Sequence, residues 1–198
     1  MVTRLGPGAE FDLIRSFLAD RERDGPGVRV GAGDDCAVVV GDGIAVTIDM
    51  AVEDVHFRRS WVPPDRIGYH AAAAALSDLA AVAARPIGIL ASIALGPGDE
   101  AGPGRALMDG VARAAADLGA VLLGGDVTRS PGPLVIDIAA LGEAPAPVLR
   151  SGARPGDAVW VTGTLGAAAA AVAAWLAGTE PAPEAVAAWA GPRPRTSE

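Results

Sequence analysis

Lysine, asparagine and glutamine are absent from these 198 residues, and cysteine occurs once, at Cys36. With one cysteine no intrachain disulfide forms, and a cysteine-based zinc centre is excluded in practice; a small buried residue is the plain reading of Cys36. With no lysine, all sixteen cationic side chains are arginine. A phosphate held here therefore meets a guanidinium, a backbone N–H or a metal ion, and the lysine of a Walker-type loop does not exist. The formal charge of −8 argues against nucleic acid, whose binding rests on clustered cations. No apolar run reaches the roughly 18 to 20 residues that a membrane helix needs. The start, MVTRLGPGAEF, lacks the apolar core of a secretory signal, and the expectation is a soluble, cytoplasmic protein with no membrane partner.

What is present is alanine, glycine and branched aliphatics in periodic segments. Phe11, Ile14, Phe17 and Leu18 fall at helical spacing, and the GPG at 25–27 ends that helix. Val28 and Val30 begin a strand. Cys36 to Val40 and Ile44 to Met50 are β-branched runs separated by GDG, which predicts a hairpin with an Asp42-Gly43 turn. Antiparallel pairing would bring Asp35, before the first run, to the end of the second, where Asp49 lies. Pro63-Pro64-Asp65 opens an alanine-rich helix that closes at Arg85-Pro86. Ile87 to Leu95 reads as a strand, 104–118 as a helix, Val121 to Leu123 as a short strand running into GGDVTRS, and Leu134 to Leu141 as another strand.

This order predicts an α+β fold, a mixed or antiparallel sheet with helices on one face. Composition loosens from Pro145, so a boundary is expected near 147. A first domain over 1–147 would then be followed, over 148–198, by the unfinished start of a second α+β domain. That start would hold a strand at Ala158 to Thr162 and a helix from about Leu165.

The acids carry the chemistry. Asp78 lies in AAAAALSDLAAVAA, where its neighbours are alanine and leucine, and a buried carboxylate must be paired, protonated or metal-bound. Arg85, about two turns on, is the cation at hand. Asp126 follows the apolar VLLGG. Each acid alone reads as easily as a turn or solvated residue, and a GDD such as Gly33-Asp34-Asp35 is common in loops. Asp35, Asp49, Asp78 and Asp126 in one cleft, however, would demand counter-charge, which Mg²⁺ supplies best while sharing its remaining ligands with phosphates. Thr47 and Ser77 would add hydroxyls, Gly124 and Gly125 close backbone approach, and Arg129 and Arg150 phosphate contacts. His56, with Phe57 and Trp61 close by, suits a cationic or aromatic ring.

Five ordered segments, GAGDDCAVV, VTIDMAVEDVHF, ALSDLAAVAARP, LLGGDVTR and LRSGARPGDAVWVTGTLG, together resemble thiamine-monophosphate kinase, of the superfamily of aminoimidazole ribonucleotide synthetase and selenophosphate synthetase. The resemblance implies an N-terminal domain that dimerises through its sheet. It implies ATP- and Mg²⁺-dependent phosphorylation of thiamine monophosphate to thiamine diphosphate, by direct transfer and without a catalytic general base. By motif, Asp35, Thr47, Asp49, Asp78 and Asp126 would be metal ligands, Gly125, Asp126 and Arg150 would contact ATP, and His56 would contact the thiamine substrate. Three positions depart from the family pattern: Ile48 in place of a hydroxyl residue, Ala75 in place of asparagine and Asp54 in place of glycine. The alternatives are an ATP-dependent relative acting on another substrate, and a non-catalytic nucleotide-binding or dimerisation module.

Overall fold

The computed structural model describes residues 28–30, 37–39, 41, 43–99 and 102–196. The helix expected at 11–18, Asp35 and Cys36 lie outside the described residues. Six strands form one sheet: β1 (Val28–Val30), β2 (Ala37–Val39), β3 (Ile44–Val52), β4 (Arg85–Leu95), β5 (Val121–Arg129) and β6 (Val135–Glu143). Their order is β1-β2-β3-β6-β4-β5. Only β4 and β5 pair in parallel, and the other neighbours are antiparallel. The expected hairpin is there, Ala37 opposite Val46 and Val39 opposite Ile44. Gly43 turns it at φ 81°, and a Cβ there would stand 2.2 Å from the Ala144 carbonyl oxygen.

Two long helices, α1 (Pro64–Ala81) and α2 (Gly102–Asp117), cover one face of the sheet, followed by α3 (Ala167–Leu176) and α4 (Pro183–Ala190). Alternation decides which side chains enter the core: in β6, Ile136, Ile138 and Ala140 are fully buried against the helices and their neighbours point the other way. Between α1 and α2 the contact is backbone to backbone. A Cβ on Gly68 would lie 2.0 Å from the Leu107 carbonyl oxygen, and one on Gly110 would lie 1.9 Å from that of Asp65. Small residues at the crossing let the alanine-rich α1 sit close, so Leu76, Leu79, Leu107 and Val111 seal the core behind it.

The opposite sheet face keeps an apolar surface in which Ile48, Met50 and Leu90 are exposed. Two sequence expectations are corrected. The short strand expected at Val121 to Leu123 does not stop there: β5 continues through GGDVTR as far as Arg129. Residues 158–162 form no strand; Val159 and Trp160 are about nine-tenths exposed, because a β-branched apolar run supplies strand propensity but a strand exists only when a neighbour accepts its hydrogen bonds.

Candidate active site

Thr47 and Asp49 stand two residues apart on β3 and so share a face, the one that α1 covers. Thr47 is 8% exposed. Its Oγ1 donates to Asp78 Oδ2 at 2.8 Å, so the half-buried carboxylate on α1 is met by the sheet. Arg85 is not its partner: β4 carries that guanidinium to Glu143 on β6. One step along β3, the exposed Asp49 places its charge near His70, eight residues and about two helical turns before Asp78. The antiparallel course of β3 and α1 thus sets Thr47 by Asp78 and Asp49 towards His70.

His70 stacks on Trp189 at 4.2 Å and its Nδ1–H donates to the Trp189 carbonyl at 2.5 Å. Burial holds its pKa below the usual imidazole range, against the opposing pull of that hydrogen bond and of Asp49. Trp189 belongs to a cluster with Trp61 and Trp175, the latter two stacked at 4.9 Å. Trp61 therefore gives its ring to Trp175 and Phe57 gives its own to the core. His70 and the tryptophans of α3 and α4 were not singled out from the sequence, where nothing in an alanine run or a tail marks them as neighbours.

Asp126 and Gly125 occupy the edge strand β5. Register puts Gly125 in the row of Asp49, Ile138 and Ala91, and Asp126 in the row of Met50, Asp137 and Ser92, which faces away from the helices. Three strand spacings, about 14 Å, separate β3 from β5. The structure thus joins Thr47 to Asp78, sets Asp49 further along the same face towards His70, and places Asp126 apart on the other face. Gly125 also has a packing reason, since a Cβ there would lie 1.8 Å from the Ala91 carbonyl oxygen. Among the described residues no three His, Cys, Asp or Glu side chains form a group able to hold a metal ion. The donors present, one hydroxyl and two carboxylates, are all hard oxygens and suit Mg²⁺ in kind.

Asp137, on the open face, is an acid that the sequence reading passed over. Its Oδ1 is buried without a hydrogen-bond partner, and burial, with the charge of Asp49 second, pushes its pKa up.

Arg150 begins an exposed 3-10 turn, Arg150–Gly152. The preceding segment is tied back to the end of α1 by Val148 N–H donating to the Val82 carbonyl at 3.1 Å. His56 is exposed at the tip of the turn that leaves β3, and its Nδ1 accepts from Val52 N–H at 3.0 Å. A groove of about 650 Å³ between α1, α2 and α4, lined by Arg66, Tyr69, Arg113 and Arg193 among others, contains none of these acids.

The model of the family described as AIR synthase related protein, N-terminal domain, matches residues 33–144. The thiamine-monophosphate kinase of Mycobacterium tuberculosis (strain H37Rv) is 37% identical over 175 residues, covering 86% of this chain and 52% of that protein. A solved structure described as AaThiL complexed with AMPPCP and TMP superposes with a TM-score of 0.80 at 30% identity, covering 94% of this chain and 59% of that one. The crystal structure of thiamine monophosphate kinase from Aquifex aeolicus gives 0.79 at 28% identity, covering 98% and 63%. The chain spans about half the length of the curated relatives it matches. A mixed sheet with helices on one face, its acids on β3, α1 and β5, and a family model matched across all three lead to one assignment: the chain belongs to the AIR synthase related proteins, of which it carries the N-terminal domain.

Proposed function

We propose that this chain is the nucleotide- and metal-binding part of a thiamine-monophosphate kinase, which transfers the γ-phosphoryl group of ATP to thiamine monophosphate and yields thiamine diphosphate and ADP. What carries the reading is the likeness to a structure described as complexed with AMPPCP and TMP, joined to the oxygen donors that Thr47, Asp49 and Asp78 bring to one face. In this reading Asp35, Thr47, Asp49, Asp78 and Asp126 hold Mg²⁺, Gly125, Asp126 and Arg150 meet ATP, and His56 meets the thiamine substrate. Bound Mg²⁺ would neutralise charge on the phosphates. The Thr47 hydroxyl, by donating to Asp78 Oδ2, fixes the orientation of that carboxylate. The acceptor is already a phosphate oxygen: it bonds to the γ-phosphorus as the bond to the β-bridging oxygen breaks, and no general base is required.

Residues 1–147 would form the ATP- and Mg²⁺-binding and dimerisation domain and 148–198 the beginning of the next, a division supported by the family match ending at 144. Homodimerisation through the apolar sheet face and a cytoplasmic setting complete the reading. No helix among the described residues is long and apolar enough to cross a membrane.

Incubating the chain with ATP, Mg²⁺ and thiamine monophosphate, and separating thiamine diphosphate from its precursor, tests it. Product with ADP in equal amount supports the kinase. Nucleotide binding without product favours the second reading, a nucleotide-binding and dimerisation module. That reading is favoured by the separation of Asp126, on the far face of the sheet, from Thr47 and Asp78.

A further inference from the structure

The turn that carries His56 is held by more hydrogen bonds than a solvent-exposed loop requires. Glu53 N–H donates to the Leu134 carbonyl, Asp54 N–H to that of Phe57, and His56 N–H to that of Val52. Phe57 is buried, and its backbone forms a bridge with Glu53. Asp54 adopts φ 64° at the corner. Across the base lies Arg59. Its Nε and Nη2 donate to the two carboxylate oxygens of Glu53 at 2.5 and 2.8 Å, while Nη1 donates to Asp99 Oδ1.

Both acids are themselves anchored. Glu53 Oε2 also accepts from Leu134 N–H at 3.0 Å. Asp99, 3% exposed, accepts from Gly96 N–H at 2.9 Å and belongs to the connection between β4 and α2. Gly96 makes the fit possible, since a Cβ there would lie 2.8 Å from Arg59 Nη2. The bidentate pairing is the strong form of a charge-assisted contact, and it holds the Glu53 carboxyl below the usual carboxylate range.

The consequence falls on the imidazole. Because Val52 N–H donates to Nδ1 of His56, the neutral ring carries its proton on Nε2, and the exposed side of the turn offers a fixed N–H donor. A turn free to rock about its base would break the Val52 bond and let both tautomers form. We propose that Arg59 is the positioning residue of this turn: by tying Glu53 to Asp99 it keeps His56 in the Nε2–H form, aimed at the acceptor substrate. The role of the donor rests on the reading of His56 as the substrate contact; the link from Arg59 to the tautomer does not.

The chain contains two histidines, so nitrogen NMR of the imidazoles resolves the matter in the full chain. At alkaline pH the wild type should show one pyridine-like and one pyrrole-like nitrogen for His56, assigned by comparison with His56→Ala. In Arg59→Gln the two should move towards a common averaged value while His70 is unchanged. Two distinct nitrogens in a folded Arg59→Gln overturn the proposal. Should that variant fail to fold, Asp99→Asn, which weakens one arm of the clamp, is read in the same way.

A second arm titrates thiamine monophosphate. In the wild type the His56 signals should shift on binding; if they do not, the substrate reading of His56 fails while the tautomer result still decides the clamp. Where they do shift, Arg59→Gln should weaken thiamine monophosphate binding about tenfold, as expected for lost orientation, with Mg-ATP affinity unchanged. Equal affinity for thiamine monophosphate in the two proteins overturns the positioning role.

Discussion

Thr47 Oγ1 donates to Asp78 Oδ2 across 2.8 Å, joining a strand and a helix 31 residues apart in the chain. The bond explains how an alanine-rich helix tolerates a half-buried carboxylate, and it sets the orientation of an acid proposed to hold Mg²⁺.

Thr47→Val keeps the shape and removes the donor. It should cost about 1 to 3 kcal/mol in urea denaturation, because Asp78 then loses the Thr47 donor in a place where water reaches it only in part. Thr47→Ser should restore most of that loss. If the carboxylate serves a cation, Thr47→Val should also weaken Mg²⁺ binding measured by calorimetry, and equal affinity would separate the structural role of the bond from the proposed ligand role.

Gly68→Ala should destabilise the protein by about 1 to 3 kcal/mol through overpacking, since its methyl group would meet the Leu107 carbonyl oxygen at 2.0 Å and force α1 from α2. Gly98→Ala makes a poor control because of its positive φ, whereas Gly152, with nothing within 4 Å and no such φ, should accept alanine without loss. Thermal denaturation of the pair checks this, and equal melting temperatures would mean that the helices slide apart at little cost.

Ala83 offers the reverse case. It ends α1 in the left-handed region at φ 57°, with Ala84 N–H donating to the Leu79 carbonyl at 2.8 Å, the arrangement in which glycine is the favoured residue. Ala83→Gly should raise stability by about 0.5 to 1 kcal/mol, the relief of left-handed strain exceeding the added chain entropy of the unfolded state. A lower melting temperature for the variant would contradict it.

How far these features could be read beforehand follows from what each depends on. The hairpin of β2 and β3, the span of α1 and the side of β6 facing the core follow from local period and turn chemistry. The extension of β5 through Gly124 and Gly125 did not, because glycines that mark a loop locally are here demanded by the backbone of β4 at Ala91. Asp78 was recognisable as an acid in need of a partner, but Arg85 was chosen by sequence distance, whereas β6 offers it Glu143 and β3 offers Asp78 a hydroxyl. The separation of Asp126 from Asp49 is a matter of strand order, which no single motif encodes. The Glu53, Arg59 and Asp99 clamp joins residues 46 positions apart at its ends and has no local signature.

Asp137 supplies a dependence on pH with a definite sign. Burial raises its folded pKa above the ordinary 3.8, so the unfolded chain releases this proton more readily than the folded one. Its contribution to stability is complete at pH below about 3.8 and is lost as pH rises through the elevated folded value. Asp137→Asn cannot ionise. The stability difference between variant and wild type should be small in acid and grow in favour of the variant towards neutrality, as followed by urea denaturation at a series of pH values. The same carboxyl lies among Ile48, Met50 and Leu90 on the open sheet face. If a second copy covers that face, ionised Asp137 is desolvated further and opposes assembly. Asp137→Asn should then shift sedimentation towards the dimer at neutral pH and leave it unchanged in acid. A variant whose stability difference is flat across the whole range would show that Asp137 keeps its water in the folded protein.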